Sequence, residues 1–285
     1  MADIGKTEID ATSAEVVAAL VQAELTVGSI YAALVQDESA RAVPGLDAIK
    51  FPKADTLSAV DKVGGTESTR QALTFTTDTL NLNVHAQVPV RLEDLAKIQA
   101  GVDVEAEILT RAASAMVRKV DSILRAEVKK ASASAPDHIL QLTGSSNTKI
   151  TLADILAAQL VLNNANVPRD GRKLVVSNAQ ESALLAMSDF IDASKYGAGT
   201  SVLANGEIGR IYGLPVIVDG GLEAAEALVF HSSHVAWGRQ MEATWEQQRA
   251  PLGFLATDYS LSMLFGAKVL RGGICGVWLN ATGTV

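Results

Sequence analysis

The sequence predicts an α+β fold built from a long extended hairpin, a long helix and a region in which helices and strands alternate. Three observations support this fold class. Apolar and polar residues alternate strictly from Leu80 to Val90, as in a half-buried strand. Residues 103–131 carry a sustained helical periodicity, and from about residue 150 short apolar runs alternate with capped helical segments.

The N-terminal part, residues 13–36, shows a helical periodicity that is interrupted near Gly28. This pattern fits either a pair of short helices or a segment that becomes ordered only against a neighbour. After Pro44 the pattern changes to a short strand, "DAIKFPK", followed by a polar, glycine-containing turn region.

One long hairpin is expected from about Ile49 to Val90. On its second arm the even-numbered residues face one way and the polar residues face the other (Leu80, Leu82, Val84, Ala86, Val88 and Val90 against Asn81, Asn83, His85 and Gln87). Leu73 and Phe75 have the opposite parity, so a bend or bulge is predicted within Thr76–Thr79. An isolated two-stranded ribbon is marginally stable in water. The hairpin is therefore expected to lie on another chain.

The helix predicted over residues 103–131 has charges that suit the helix dipole, acidic at its start and basic at its end (Asp103 as N-cap, Glu105, Glu107, Lys129 and Lys130). One face is apolar (Val104, Ile108, Ala112, Met116, Val120, Ile123 and Leu124). At 1.5 Å per residue, the helix would be roughly 40 Å long.

The next region begins with a helix capped by Thr151, with Asp154 as the reciprocal capping residue. Its core face is expected to consist of Leu152, Ile155, Leu156 and Leu160. A buried strand is predicted at Leu174–Val176, and a second helix is predicted to be capped by Asn178 with Glu181. Short strands follow at "LPVIVD", "EALVFH", "VAWGRQ", "ATWEQQR" and "AKVLRGGICGVWL".

The stretch "NGEIGRIYGLPVIVDGG", residues 205–221, raises the question of a phosphate site. A dinucleotide fingerprint has G-x-G-x-x-G between a strand and a helix. Here Gly206, Gly209 and Gly213 have a wider spacing and precede strand-like residues, and the Gly-Lys-Ser/Thr of a P-loop is absent from the sequence. The glycines are therefore expected to supply positive φ in turns rather than to bind a nucleotide.

Metal and thiol chemistry find little support. His231 and His234 in "HSSH" are three residues apart, but the surrounding stretch alternates like a hairpin and no third ligand is near in the sequence. We therefore interpret His231 and His234 as turn residues and not as metal ligands. His85 is expected to be solvated or to face an interface. Cys275 is the single cysteine, which excludes an internal disulfide and a multi-cysteine zinc site and predicts a buried, unreactive thiol.

No catalytic residue, cofactor site or metal site is predicted. The sequence lacks a G-x-S-x-G nucleophile elbow. Asp189, Asp192 and Glu207 are the densest acids near glycine loops, and surface solvation is expected for them. A convergent triad stays open because its members would meet only in space.

The charge balance excludes several classes of partner. The formal net charge is −8, and no cluster of lysines and arginines with interleaved aromatics is present, so direct DNA recognition is not expected. No apolar run approaches the ~20 residues that span a bilayer. The acidic N-terminus does not match a secretory signal, and a reducing cytoplasm is the expected compartment.

Six charged residues lie on the hairpin: Lys53, Asp55, Asp61, Lys62, Glu67 and Arg70. They fit a solvated loop. For an arm that lies on a neighbouring subunit, they instead fit rim pairs that set register more than affinity. Both interpretations stay open.

The order of these elements resembles the major capsid proteins of tailed bacteriophages with the HK97 fold, over nearly the whole chain. The family pattern is a "vP..gR..vvs" turn and strand, a helix carrying a small-Leu-Leu pair, and a "G.iG.i.G..V" loop and strand. The matching residues are Val167, Pro168, Gly171, Arg172, Val175, Val176, Leu184, Leu185, Gly206, Ile208, Gly209, Ile211, Gly213 and Val216.

The resemblance implies a division of the chain into an N-terminal arm (1–45), an E-loop hairpin (46–91), a P-domain with the spine helix (92–149), an A-domain (150–260) and C-terminal return strands (261–285). The hairpin would lie across an adjacent subunit, and the A-domain loops would meet at capsomer centres. Some relatives cross-link a hairpin lysine to a neighbour's asparagine, but no motif identifies a partner for Lys53 or Lys62, and the cross-link is not predicted.

The expected function is that of a structural major capsid protein, not an enzyme. It would self-assemble into the hexamers and pentamers of an icosahedral phage head that encloses double-stranded DNA without sequence-specific binding. Assembly would take place in the bacterial host cytoplasm, with a portal, a separate scaffolding protein and optionally a decoration protein as partners and with no membrane involved. The alternatives are an encapsulin-like nanocompartment shell and an α/β enzyme with a convergent active site.

Overall fold

The computed structural model describes residues 29–284 except positions 56, 63, 66, 68–69, 100–103, 132–137, 188–208 and 252–253. The described residues form twelve strands and four α-helices. The strands are β1 Gln36–Asp37, β2 Ala48–Ala54, β3 Phe75–Asn81, β4 Val84–Glu93, β5 Ile139–Gln141, β6 Arg172–Val176, β7 Arg210–Ile211, β8 Leu214–Val218, β9 Ala227–His231, β10 Val235–Arg249, β11 Ala256–Val269 and β12 Gly276–Asn280. The helices are α1 Asp94–Gln99, α2 Val104–Val128, α3 Leu152–Asn164 and α4 Asn178–Leu185.

Three sheets are formed within the described part of the chain. A four-stranded sheet has the order β1-β10-β11-β4, a six-stranded sheet has the order β5-β12-β9-β6-β8-β7, and β2 pairs with β3 in a separate hairpin. The α+β fold class predicted from the sequence is confirmed.

The spine helix α2 covers one face of the four-stranded sheet. Its buried residues recur every three or four positions, at Ala112, Met116, Val120 and Leu124, as the periodicity predicts. They pack against the inward-facing side chains of β4 and β11 (Ala86, Leu261, Met263 and Phe265). The predicted cap Asp103 lies outside the described residues.

The six-stranded sheet forms a second core with α3 and α4. Thr151 and Asp154 form the predicted capping box at the start of α3. The predicted buried strand Leu174–Val176 forms the last three residues of β6 and is fully buried. The cap prediction for α4 was wrong by one residue, because it is the Ser177 hydroxyl that accepts a hydrogen bond from the Gln180 N–H.

The single strand predicted from Leu80 to Val90 is in fact two strands. The break lies at Leu82–Asn83 instead of within Thr76–Thr79, because β3 pairs with β2 whereas β4 pairs with β11. "VAWGRQ" and "ATWEQQR" are one strand, β10, which keeps pairing with β11 across two register irregularities between Arg239 and Thr244.

Candidate intersubunit hairpin

Among the described residues, the hairpin β2–β3 contacts the rest of the subunit through its paired strands, and its distal part is exposed. Its strands pair over seven positions, from Ala48 opposite Asn81 to Ala54 opposite Phe75. At the base, Ile49 and Leu80 are buried in a small cluster with Leu82, Ala236 and Leu270. This cluster forms because the hairpin base crosses the outer face of β10 and β11.

Backbone contact makes the base of the hairpin tight. A Cβ placed on Gly266 in β11 would lie 2.1 Å from the Asn81 carbonyl oxygen, so no larger residue fits there without a backbone shift. Asp78 accepts a hydrogen bond of 2.7 Å from the Arg271 backbone N–H. The Arg41 guanidinium lies 4.9 Å from the centroid of the Phe51 ring. The base is therefore held by steric fit, hydrogen bonding and a cation–π contact.

Beyond the paired strands, the two arms stay together through fewer contacts. The Asp55 N–H donates to the Thr74 carbonyl at 3.0 Å. Further out, the Gln71 side-chain amide replaces a strand partner, because it accepts from the Ser58 N–H at 3.0 Å and donates to the Ser58 carbonyl at 2.7 Å. The hairpin thus continues outward well past the last strand residue.

The distal part of the hairpin presents apolar side chains to solvent. Leu57 is 60% exposed, Phe75 is 63% exposed, and Val60 and Leu73 are also exposed. Large apolar residues grouped on a projecting ribbon are typical of a surface that another molecule covers. The sequence reasoning did not single out these residues as candidates for a contact; the available signal was the presence of leucine and valine in an otherwise polar stretch.

The six charged residues predicted as intersubunit contacts all lie on this ribbon and are exposed. Glu67 and Arg70 form an ion pair of 2.8 Å with each other. The other four (Lys53, Asp55, Asp61 and Lys62) point to solvent at different heights along the arms. The structure brings them to one projecting element but leaves their intersubunit role a prediction.

A polar joint connects the spine helix to the six-stranded sheet. Arg125 of α2 binds Asp219 through two hydrogen bonds of 2.7 and 3.1 Å, and the Tyr31 hydroxyl donates to the same carboxylate at 2.8 Å. Lys129 pairs with Glu226 at 2.6 Å. The sequence reasoning missed this joint because its members are up to 188 positions apart.

The electrostatics of the joint favour its ionised form. Burial raises the pKa of the Asp219 carboxyl, but hydrogen bonds from Arg125, Gly221 and Tyr31 outweigh burial, and the pKa lies below its usual value. Burial and the negative charge of Asp219 raise the pKa of the Tyr31 hydroxyl, which therefore stays protonated as a donor. Asp121 fixes the chain around Tyr31 by accepting from the Ser29 hydroxyl at 2.6 Å and from the Tyr31 N–H at 3.2 Å.

The glycine stretch forms turns, as predicted, where it is described. Gly209 and Gly213 have φ of +57° and +83°, and Gly213 follows Tyr212, whose φ is +48°. Tyr212 and Gly213 form the two-residue loop between β7 and β8, in the conformation of a type I′ turn. Gly206 and the acidic residues Asp189, Asp192 and Glu207 lie outside the described residues.

The histidines occupy structural positions. The His231 Nδ1 lies 2.8 Å from the Ser233 hydroxyl in the turn after β9. His234 is fully buried, its Nε2 lies 3.0 Å from the Val128 carbonyl, and burial lowers the pKa of its imidazole to about 4. His85 is exposed on β4, and the predicted burial of Cys275 is confirmed. Among the described residues, no three His, Cys, Asp or Glu side chains gather as a metal site would require.

None of the described helices combines the length and the apolar character needed to cross a bilayer.

Comparison with known proteins identifies one family and a set of structures with the same fold. Residues 54–277 match the family model described as "Phage capsid protein". No curated protein sequence matches the chain.

Similar solved structures include phage structures and a virus-like particle. A structure from Mycobacterium phage Che8 has a TM-score of 0.75 at 22% identity, over 90% of this chain and 92% of that chain. The capsid of cyanophage P-SCSP1u has a TM-score of 0.69 at 18% identity, over 90% and 89%. A virus-like particle from Pyrococcus furiosus has a TM-score of 0.60 at 11% identity, over 94% and 99%. At these identities the similarity establishes the fold, and the HK97-like architecture predicted from the sequence is confirmed.

Proposed function

The chain belongs to the phage capsid protein family, and we propose that it is the major shell subunit of a tailed-phage head, which assembles as hexamers and pentamers around double-stranded DNA. The protein is a structural protein whose relatives in fold form assembled capsids. The assembly into hexamers and pentamers and the enclosure of DNA are parts of this proposal.

The observation that carries the proposal is the projecting hairpin. Its base is fixed to the subunit by the Gly266–Asn81 contact and the buried Ile49–Leu80 cluster, whereas its distal half exposes Leu57 and Phe75 to solvent. A hairpin that is fixed at its base and apolar at its end would stabilise an assembly by lying on a neighbouring subunit, since that contact removes the apolar surface of the hairpin from water. Many such weak contacts add up to a stable closed lattice.

We assign the parts of the chain as the resemblance implies. Residues 1–45 act as the N-terminal arm, 46–91 as the E-loop, 92–149 and 261–285 as the P-domain with its return strands, and 150–260 as the A-domain. The six charged hairpin residues act at the rim of the E-loop contact, where ion pairs set register.

The charge of the subunit suits a container. A net charge of −8 gives a shell wall that does not bind the enclosed DNA tightly. The virion is the proposed location, after assembly in the host cytoplasm. A portal and a separate scaffolding protein are the proposed partners, with a decoration protein as an optional addition.

A closed shell without a phage genome is the second candidate. It is favoured by the similarity to the virus-like particle from Pyrococcus furiosus, which extends over 94% of this chain. Such a nanocompartment would hold protein cargo, and the nucleic-acid content of purified particles separates the two candidates.

The experiment that tests the proposal compares the full chain with a variant that lacks the hairpin tip, residues 55–67. Negative-stain electron microscopy should show shells for the full chain and none for the deletion variant, which should remain a folded subunit by circular dichroism. Because this deletion leaves the buried hairpin base intact, folding should survive. Normal shells from the deletion variant would refute the role of the hairpin, and a full chain that stays a small oligomer would refute the shell function.

A further inference from the structure

Helix α3 has an apolar outer face that the described part of the chain leaves exposed. Its inner residues Ile155, Ala158 and Leu162 are buried against the six-stranded sheet. On the opposite side, Leu156 is 47% and Leu160 is 59% exposed, with Ala153 and Ala157 beside them. A helix that is apolar on all sides is typical of a protein interior and not of a surface.

The contrast with the spine helix shows that this is a local property. The outer face of α2 carries exposed charges at Glu107, Arg111, Arg118 and Lys119. Over its thirteen residues α3 has one charged side chain, Asp154. Its carboxylate is buried and accepts hydrogen bonds from the Thr143 hydroxyl and the Thr151 N–H. The exposed face of α3 is therefore free of charge.

Tyr212 extends the same surface from a different element. It lies at the tip of the β7–β8 turn, and its carbonyl accepts a hydrogen bond of 3.1 Å from the Gln159 side chain of α3. Its φ of +48° is uncommon for a bulky residue, and asparagine, aspartate or glycine is the usual occupant of such a turn position. An exposed tyrosine held in a strained turn beside an apolar helix face is suited to anchoring a contact.

We propose that the outer face of α3 and Tyr212 together form a contact surface for a second copy of this chain, a proposal that rests on the self-assembly proposed above. The net charge of −8 makes two copies repel each other over most of their surfaces. A charge-free face is where they can approach without that repulsion. The similarity to assembled capsids supports a further copy as the occupant.

Glutamine and asparagine variants test the surface without disturbing the fold. Leu156→Gln with Leu160→Gln keeps helix propensity and should raise the subunit concentration needed for assembly at least about tenfold. Tyr212→Asn suits the type I′ turn better than tyrosine, so it should keep or raise the Tm while raising the same concentration several-fold. Asn164→Gln on the same helix is the matched control.

A labelling experiment identifies what covers the face. Leu160→Cys introduces an accessible thiol in a chain whose native Cys275 is buried. Maleimide should label it rapidly in the unassembled subunit and at least about tenfold more slowly in assembled particles. Rapid labelling in both states, or folded variants that assemble like the wild type, would overturn this inference and leave the shell function standing. Slow labelling of the unassembled subunit would also overturn it, since the chain itself would then cover the face. A wild-type chain that never assembles would refute the proposed function.

Discussion

At the scale of single residues, Gly221 is required by the approach of one side chain. A Cβ there would lie 2.0 Å from Arg125 Nη2, so Gly221→Ala should displace the guanidinium from Asp219. The Asp219 carboxylate would keep its bonds from Tyr31 and the Gly221 N–H but lose its cation. We expect the free energy of unfolding to fall by about 1–3 kcal/mol, measured by urea denaturation of the unassembled subunit.

The neighbouring Gly220 provides the control for that prediction. A Cβ on Gly220 would meet Asn178 at 3.4 Å, which is ordinary contact. Gly220→Ala should therefore change stability much less than Gly221→Ala. Equal effects of the two substitutions would show that the Arg125–Asp219 pair is not what Gly221 protects.

His234 makes subunit stability depend on pH. Its pKa falls from 6.5 to about 4 because burial penalises the imidazolium form, although the Val128 carbonyl acts in the opposite direction. Since the folded state binds this proton less readily than the unfolded chain, the stability is complete above pH ~6.5 and declines as the pH falls toward ~4. The loss from this residue approaches about 3 kcal/mol. About 2 kcal/mol of this loss falls between pH 7 and pH 5, and urea denaturation of the subunit at these two pH values measures that part.

The variant His234→Gln should flatten this pH dependence, and His85→Gln, at an exposed position on β4, should leave it unchanged. Some slope should persist in His234→Gln because burial also lowers the pKa of His231. Asp219 acts in a different range: its lowered pKa places its loss of stability below pH ~4. An unchanged slope in His234→Gln would rule out His234 as the source.

At the scale of elements, we expect the attachment of the hairpin base to β11 to depend on Gly266. The clash expected at this position is with a backbone oxygen 2.1 Å away, which cannot swing aside as a side chain does. Gly266→Ala should therefore separate the hairpin base from β11 and expose the Ile49–Leu80 cluster. We expect a loss of about 2–4 kcal/mol in the free energy of unfolding, together with poor assembly seen by light scattering.

Gly238 is the matched control, since it pairs directly with Gly266 across β10 and β11. A Cβ on Gly238 would contact the Ile49 Cδ1 at 3.5 Å, an ordinary separation. Gly238→Ala should cost much less than Gly266→Ala. If both variants were equally stable, the close approach at Asn81 would not be what holds the hairpin.

The elements that could be predicted from the sequence are those that bury one face and expose the other. The spine helix and β4 each bury one face, so their periods of 3.6 and 2 appear in the sequence. The division between β3 and β4 could not be found in this way, because Leu80, Leu82 and Val84 keep the same parity while the partner strand changes from β2 to β11. The alternation of apolar and polar residues indicates which face of a strand is buried, but it does not indicate which strand lies next to it.

The candidate surfaces were only partly predictable for a similar reason. Charged hairpin residues are recognisable by type, whereas the exposure of Leu57 or Phe75 depends on how far the hairpin projects. The core face expected for α3 was wrong in part, because Ile155 is buried whereas Leu156 and Leu160 are exposed. The helix sequence "LADILAAQLVLNN" contains a single charged residue, so its pattern does not mark which apolar face is buried. The positive φ of Tyr212 could not be predicted from the sequence, because it follows from the pairing of Ile211 with Leu214, which places Tyr212 in the two-residue loop between β7 and β8.

At the scale of the whole molecule, we expect the net charge and the proposed apolar contacts to act in opposite directions on assembly. Each subunit carries a formal charge of −8, which favours repulsion between copies, while the exposed apolar residues of the hairpin end and the α3 face would favour contact if the proposals above hold. Raising NaCl from about 0.1 M to about 1 M shortens the Debye length from ~10 Å to ~3 Å and screens the repulsion. We expect the critical subunit concentration for assembly to fall by about 3–10-fold, as measured by light scattering.

The pH dependence of this salt effect separates repulsion from other actions of salt. The sequence pI is about 5.1, so the net charge is smaller at pH 6 than at pH 8, and the same salt step should lower the critical concentration less at pH 6. The opposite response would follow if ion pairs of Lys53, Asp61 or Arg70 with a neighbour supplied most of the contact energy, because salt weakens exposed pairs. A critical concentration that rises with salt would therefore assign the attraction between subunits to the charged rim of the hairpin instead of to its apolar end.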